Sequence, residues 1–214
     1  MKKLLFIGAL LCVLCSCGSG NSKKNAAPAN VHEGHEWVDL GLPSGLKWAT
    51  CNVGASTPGD YGNYYAWGET STKAEYTHLN YTSYGKSGSN IGGNSSCDAA
   101  RANWGGSWRM PTKAEFQELV DNCTWTWTTQ NGKDGYKVTG PNRNSIFLPA
   151  AGSRGYGDAL YHDGEGGEYW SSSSFESDTD AYDTYQLSFY EGGRYVFCWG
   201  DPSLGLSVRP VLED

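Results

Sequence analysis

The sequence predicts an α+β domain of short antiparallel strands with two short helices and long loops. Composition gives the first reason: 29 Gly and 8 Pro make 37 of 214 residues, and Met occurs only twice, a balance that disfavours a helical bundle and favours many turns. The second reason is that the hydrophobic share of 38 %, with 14 % aromatic residues, is enough to bury a core in a chain of 23.2 kDa. The third is local. Only two stretches carry helix-start signals, and the rest reads as alternating strands or turn residues.

Taken in order, Trp37, Val38 and Leu40, the turn Gly41-Leu42-Pro43-Ser44-Gly45, and then Leu46, Trp48 and Ala49 predict two strands around a turn. Residues 61–67 read as a loop and a short strand, and residues 80–96, rich in Tyr, Ser, Gly and Asn without a period, as a long surface loop. Asp98 is placed to cap a helix over Ala99–Asn103. Thr112, after Pro111, begins a second over 113–120, with Thr112 and Glu115 at capping-box spacing and Phe116, Leu119 and Val120 on one face. The alternation in Thr124–Thr128, the Asn131-Gly132 dipeptide and Tyr136–Thr139 predict a hairpin. Further strands are expected at Ser145–Leu148, Glu168–Ser172, Tyr185–Tyr190, Arg194–Trp199 and Leu206–Val211, with no internal repeat.

The N-terminus reads as an address. Met1-Lys2-Lys3 precedes an apolar run from Leu4 to Leu14, which at about 11 residues falls short of the roughly 20 that span a bilayer. Leu14-Cys15-Ser16-Cys17 resembles the bacterial lipobox, so residues 1–16 are expected to be a lipoprotein signal peptide and Cys17 the lipidated first residue. Residues 17–35 would form a flexible tether holding a single domain, residues 36–214, roughly 20–25 Å from the lipid. The membrane contact would be the lipid anchor alone. The absence of Asp after Cys17 fits, by similarity to other bacterial lipoproteins, an outer-membrane location, with the leaflet, including the cell surface, left open. Loss of Lys2 and Lys3 leaves 14 Lys and Arg against 23 Asp and Glu, so the formal charge of −7 becomes −9 and nucleic acid is excluded as a partner class.

Of the 7 cysteines, Cys12 and Cys15 leave with the signal and Cys17 takes lipid. The remaining four, Cys51, Cys97, Cys123 and Cys198, allow three disulfide connectivities in an oxidising compartment; Cys51 with Cys123 and Cys97 with Cys198 is the favoured one, beside four buried free thiols. Spacings of 46, 26 and 75 residues contain no C-x-x-C zinc knuckle.

Six blocks occur in order: Val38-Asp-Leu-Gly-Leu-Pro-Ser-Gly-Leu-Lys-Trp-Ala-Thr50, Tyr65-Ala-Trp-Gly-Glu69, Trp104-Gly-Gly-Ser-Trp-Arg-Met-Pro-Thr112, Phe147-Leu-Pro-Ala-Ala-Gly152, Tyr169-Trp-Ser-Ser-Ser173 and Ser207-Val-Arg-Pro-Val211. Together they resemble the fibrobacter succinogenes major paralogous domain family over residues 36–212. That family is similar to the C-terminal domain of Lcl-type bacterial lipoproteins, so the resemblance implies a C-type lectin-like fold and a location rather than a reaction. Physically, Gly105 and Gly106 permit a tight turn, Trp108 and Met110 anchor it, and Pro111 fixes the entry to the second helix. Arg109 and Arg209 read as part-buried cations held by carbonyls or a carboxylate, and Trp170 as a strand anchor.

Catalytic chemistry finds little support. His32-Glu33-Gly34-His35 is one residue short of the metalloprotease His-Glu-x-x-His, and His78 and His162 stand alone. Ala151-Gly-Ser-Arg-Gly155 misplaces the first glycine of a hydrolase elbow, and Gly164-Glu-Gly-Gly-Glu168 is acidic where a phosphate loop needs a cation. The late, closely spaced cysteines of the lectin-fold formylglycine-generating enzymes have only Cys198 as a counterpart. Gly140-Pro-Asn142 and Trp199-Gly-Asp201 each lack an oxygen ligand found in the calcium sites of the lectin relatives; calcium at the acidic loop of Asp158, Asp163, Glu165 and Glu168 stays open without a motif, and no cofactor is expected.

What remains is surface. Residues 175–203 carry Phe175 and the candidate ligand-binding residues Tyr182, Tyr185, Tyr190, Tyr195, Trp199 and Asp201 amid Ser, Asp and Gly, the mixture of rigid aromatic anchors and adaptable polar groups found in paratopes. About half of these aromatics should point inward. The expected function is a non-catalytic, lipid-anchored extracytoplasmic module recognising a glycan or a surface protein. Two alternatives accompany it: a structural or assembly component of the envelope or of a surface appendage, and a variable ligand-display protein of a diversity-generating retroelement.

Overall fold

The computed structural model describes residues 30–83, 90–175 and 184–212. Within them the chain forms strands β1 (Val31–His32), β2 (His35–Asp39), β3 (Lys47–Ala49) and β4 (Tyr64–Tyr65), a single 3-10 turn at His78–Asn80, and helix α1 (Ala99–Trp104). Strand β5 (Trp108–Arg109) leads to helix α2 (Lys113–Asn122). A meander follows: β6 (Thr124–Gln130), β7 (Lys133–Thr139) and β8 (Ser145–Pro149). After the small pair β9 (Ser153–Gly155) and β10 (Ala159–Tyr161) come β11 (Gly166–Ser174), β12 (Thr184–Tyr190), β13 (Gly193–Gly200), β14 (Leu206–Ser207) and β15 (Val211–Leu212). The protein is thus predominantly β, with two helices.

Two five-stranded sheets organise it, in the orders β1-β2-β3-β15-β5 and β13-β12-β11-β14-β4, beside the three-stranded β6-β7-β8. A core under α2 gathers Leu40, Trp48, Phe116, Leu119, Val138, Leu148, Tyr169, Leu187 and Phe189; a second, around α1, gathers Tyr65, Trp67, Ala100, Trp108, Met110, Trp170, Leu206 and Val208.

The helices form where their caps predict. Asp98 Oδ1 accepts from the amides of Ala100 and Arg101 at 2.8 and 3.1 Å, while Oδ2 accepts from Gly93 and Met110, so one buried carboxylate joins loop, helix and the residue that follows β5. Burial raises its pKa despite those four donors. Thr112 and Glu115 close a reciprocal capping box on α2, and Phe116 and Leu119 are fully buried on its inner face. Asn131 and Gly132, both at positive φ, turn β6 into β7 as the dipeptide predicts.

Three expectations are corrected. The expected tether of residues 17–35 does not extend to residue 35, because residues 30–35 belong to the domain. Val31–His32 pairs with His35–Glu36 around Glu33 and Gly34, whose φ values of 47° and 81° make a tight hairpin turn. This hairpin docks: His32 Nε2 accepts from the Ser107 amide, its carbonyl accepts from Trp108 Nε1, and His35 stacks on Trp104 at 3.7 Å and 6°. The single strand expected over Leu206–Val211 is two. Leu206–Ser207 joins Tyr64–Tyr65 in one sheet, Val211–Leu212 lies between β3 and β5 in the other, and Val208-Arg209-Pro210 crosses between them. Pro210, lacking an amide, ends one ladder before the next begins.

The third correction concerns the cysteines. Cys51, Cys97, Cys123 and Cys198 are all free thiols, so neither Cys51–Cys123 nor Cys97–Cys198 is formed. Each is claimed by its own surroundings. Cys97 is buried in the core around α1 and Cys198 belongs to the outer strand β13; Cys51 faces a cleft beside His35 and Trp104, whereas Cys123 ends α2 and packs on the other core. Burial and the charge of Glu118 push the Cys123 thiol up to about 11.

Both arginines are held as expected. Arg209, fully buried, donates to the carbonyls of Ala49, Thr50 and Phe147 and to Asn52 Oδ1 at 2.8–3.0 Å. Arg109 makes a bidentate pair with Glu115 at 2.6 and 2.8 Å and donates to the Met110 carbonyl. Arg209→Met should cost about 3–5 kcal/mol in urea unfolding, since it orphans four buried acceptors. Burial acts to raise the Glu115 carboxyl, but its bonds to Arg109 and Thr112 outweigh that and hold it below the ordinary 4.5. A carboxyl depressed on folding stabilises the native state above its unfolded pKa and loses that contribution as pH falls through the folded value. Glu115→Gln should therefore lower Tm at neutral pH and flatten the decline of Tm below pH 4.5.

Candidate functional site: a tyrosine pair beside a carboxylate-lined cleft

Strand parity decides which predicted residues meet. The two-residue turn Glu191-Gly192 pairs Tyr190 with Gly193, which places Ser188 opposite Tyr195 and Gln186 opposite Phe197. On the other side Glu168 pairs with Ser188, and Gly166 with Tyr190. Glu168, Ser188 and Tyr195 therefore form one cross-strand row, with Gly166, Tyr190 and Gly193 in the next row on the same face. Leu187 and Phe189 point the opposite way, into the core under α2.

Tyr190 and Tyr195 are 53 % and 54 % exposed, with ring centroids 6.2 Å apart, planes inclined by 36° and hydroxyls at 3.4 Å. The hydrogen bond to Tyr195 raises the Tyr190 phenol. The pair is held from below. Tyr136 donates its hydroxyl hydrogen to the Tyr190 carbonyl and accepts from the Gly192 amide, clamping the β12–β13 turn. The Tyr190 ring lies across Gly193, where a Cβ would come within 2.7 Å of the ring. Gly193 is what lets Tyr190 lie flat on the sheet.

Beside the pair opens a cleft of about 300 Å³, lined by Gly152, His162, Glu165, Glu168, Ser188 and Tyr190 and floored by Gly166 and Gly167. Its rim is the turn at 162–165, where the amides of Glu165 and Gly166 donate to the His162 carbonyl and that of Gly164 to the Ala150 carbonyl. The Glu165 carboxylate is exposed and 3.4 Å from His162 Nδ1. Glu168 is different. Its carboxyl is largely withdrawn from water, which raises its pKa, while a hydrogen bond to Ser153 and the charge of His162 pull it partway down. Aromatic faces, a part-desolvated carboxylate and a serine hydroxyl on one rigid sheet can stack against a ring and hydrogen-bond its substituents.

The other predicted residues do not join this site. Tyr185 has the parity of Leu187 and Phe189, beneath the Lys113 ammonium at 4.2 Å and near Phe175. Asp201 is tied into its own turn, accepting from the Ser203 amide and hydroxyl and meeting His78 Nε2 at 3.1 Å. Trp199 lies on β13, but its side chain, like all of Tyr182, Cys17 and the signal segment, falls outside the described residues. Conversely His162, Glu168 and Ser188 were not expected beside the tyrosines, although the Glu191-Gly192 turn and strand alternation carry the register that brings them there.

Two further clefts are polar. That of about 310 Å³ beside Glu69, Lys73 and Asn80 is internally paired, with Lys73 bridging Glu69 at 2.8 Å and donating to Asn80. That of about 470 Å³ is bounded by His35, Cys51, Pro58 and Trp104, and burial lowers the His35 pKa. Among the described residues no three His, Cys, Asp or Glu side chains converge as a metal-binding group, and no helix is long and apolar enough to cross a membrane. No family model matches the chain, and no curated protein or solved structure is significantly similar to it.

Proposed function

We propose that this chain is a non-catalytic, lipid-anchored binding module of the bacterial outer membrane, C-type lectin-like in fold, that recognises a glycan on the exposed face of β11–β13. The observation that carries the reading is the Tyr190–Tyr195 pair, half exposed yet fixed by Gly193 and Tyr136 beside the Glu168 cleft. Solvent-facing aromatic rings that are already immobilised lose little entropy on stacking against a sugar. The six sequence blocks support the fold reading, and the lipobox at Leu14–Cys17 supports the anchor. Envelope assembly is the second reading, favoured by fully exposed Leu79 and by Tyr156, 83 % exposed, neither of which lines the cleft.

On a glycan array, Tyr190→Ala and Tyr195→Ala should each weaken binding at least tenfold with Tm within a few degrees of the parent. Gly193→Ala should mimic Tyr190→Ala by displacing the ring while both phenols remain. Retained binding in all three variants removes this face from consideration. Absence of any glycan binding by the parent, with self-association in sedimentation, moves the assignment to assembly. Separately, Cys17→Ala should shift the protein from the membrane fraction to the soluble fraction of fractionated cells; unchanged membrane retention refutes the lipid anchor.

A further inference from the structure

The chemistry of the cleft narrows the ligand. Its walls present two carboxylates, Glu165 and Glu168, and its imidazole, His162, is already beside Glu165. Among the described residues no Lys or Arg lines it, and the chain is formally −7, so a phosphate, sulfate or uronate would face two carboxylates with His162 alone to offset them. A neutral sugar would leave the part-desolvated Glu168 carboxylate with only the Ser153 hydrogen bond and the charge of His162. An ammonium group supplies a cationic partner, and the faces of Tyr190 and Tyr195 next to the opening attract a cation further. The volume, about 300 Å³, is at the lower end for small-molecule sites and suits one pyranose ring rather than a folded peptide segment.

We propose that the cleft recognises a hexosamine unit bearing a free amine, with the ammonium directed to Glu168 and Glu165 and the adjoining sugar stacked on Tyr190 and Tyr195. This rests on the glycan reading above and specifies the class of sugar. Ser188, opposite Glu168 in the strand register, is the neutral partner for a ring hydroxyl. Attraction between a single ammonium and a desolvated carboxylate is sensitive to loss of either charge, whereas stacking is not.

The test compares the full chain binding a β-1,4-linked glucosamine tetramer with its fully N-acetylated counterpart, by calorimetry at neutral pH and low salt. The amine form should bind at least tenfold tighter. Glu168→Gln should erase that preference while leaving the acetylated tetramer's affinity within about twofold, and Tyr190→Ala should weaken both. Glu165→Gln, altering an exposed carboxylate, should reduce the preference severalfold and keeps the test decisive if Glu168→Gln does not fold. Equal binding of the two tetramers, or a preference unaltered by both substitutions, overturns ammonium recognition and leaves the glycan reading standing. Binding of neither tetramer while a lysine-rich peptide binds in a Glu168-dependent way overturns the sugar and reassigns the cleft to a protein side chain. Silence toward all of these probes, and toward the glycan array, overturns both.

Discussion

Arg209 is a full positive charge in the interior that meets no carboxylate among the described residues, held by three carbonyls and the Asn52 amide oxygen. Such a charge persists only where its donors are met by preoriented dipoles, and here those dipoles come from separate parts of the chain. Ala49 ends β3, Thr50 and Asn52 lie in the loop beyond it, and Phe147 is in β8. Arg209 itself occupies the crossing between the two five-stranded sheets. Misplacing any one of these segments by an ångström would strand the guanidinium, so the ion acts as a register pin for the whole domain.

From that pin the route to the surface is short. Asn52 also donates to the Tyr61 carbonyl and reaches the Tyr169 hydroxyl, and that phenol donates to the Pro149 carbonyl. Tyr169 stacks near Phe189, and Phe189 lies against Tyr136, whose hydroxyl clamps the turn under Tyr190. The exposed pair is therefore the outermost member of a packed series of rings, which keeps a water-facing aromatic face in one orientation.

Features written in local chemistry were legible in the sequence. Asp98, Thr112 with Glu115, and Asn131-Gly132 each state a cap or a turn within four residues, and all three form as expected. Arg109 and Arg209 were legible as held cations because each sits in an otherwise apolar block. Features set by long-range pairing were not. The polar run before Glu36 hid a hairpin whose stability comes from Trp104, Trp108 and Ser107, some seventy positions later. The cysteines could not be paired by counting, and the cleft needed both the strand register and the turn at 162–165 to exist. Tyr185 shows the limit of composition most directly. It belongs to the same aromatic segment as Tyr190, but five positions along a strand reverse the face it serves.

The place of β15 bears on how the protein is made. Val211–Leu212 is an inner strand of its sheet, flanked by β3 and β5, although nearly all of the chain precedes it. The early strands and β5 touch through Trp104 and Trp108 but share no strand of their sheet until β15 pairs, and Arg209 finds its acceptors no sooner. The pairing of β3 with β15 joins residues more than 160 positions apart, a long-range contact of the kind that slows folding. Strands whose partners are close in sequence, β6–β8 and β11–β13, carry no such constraint, so the sheet of β1–β3, β15 and β5 is the part of the architecture that depends most on a distant segment.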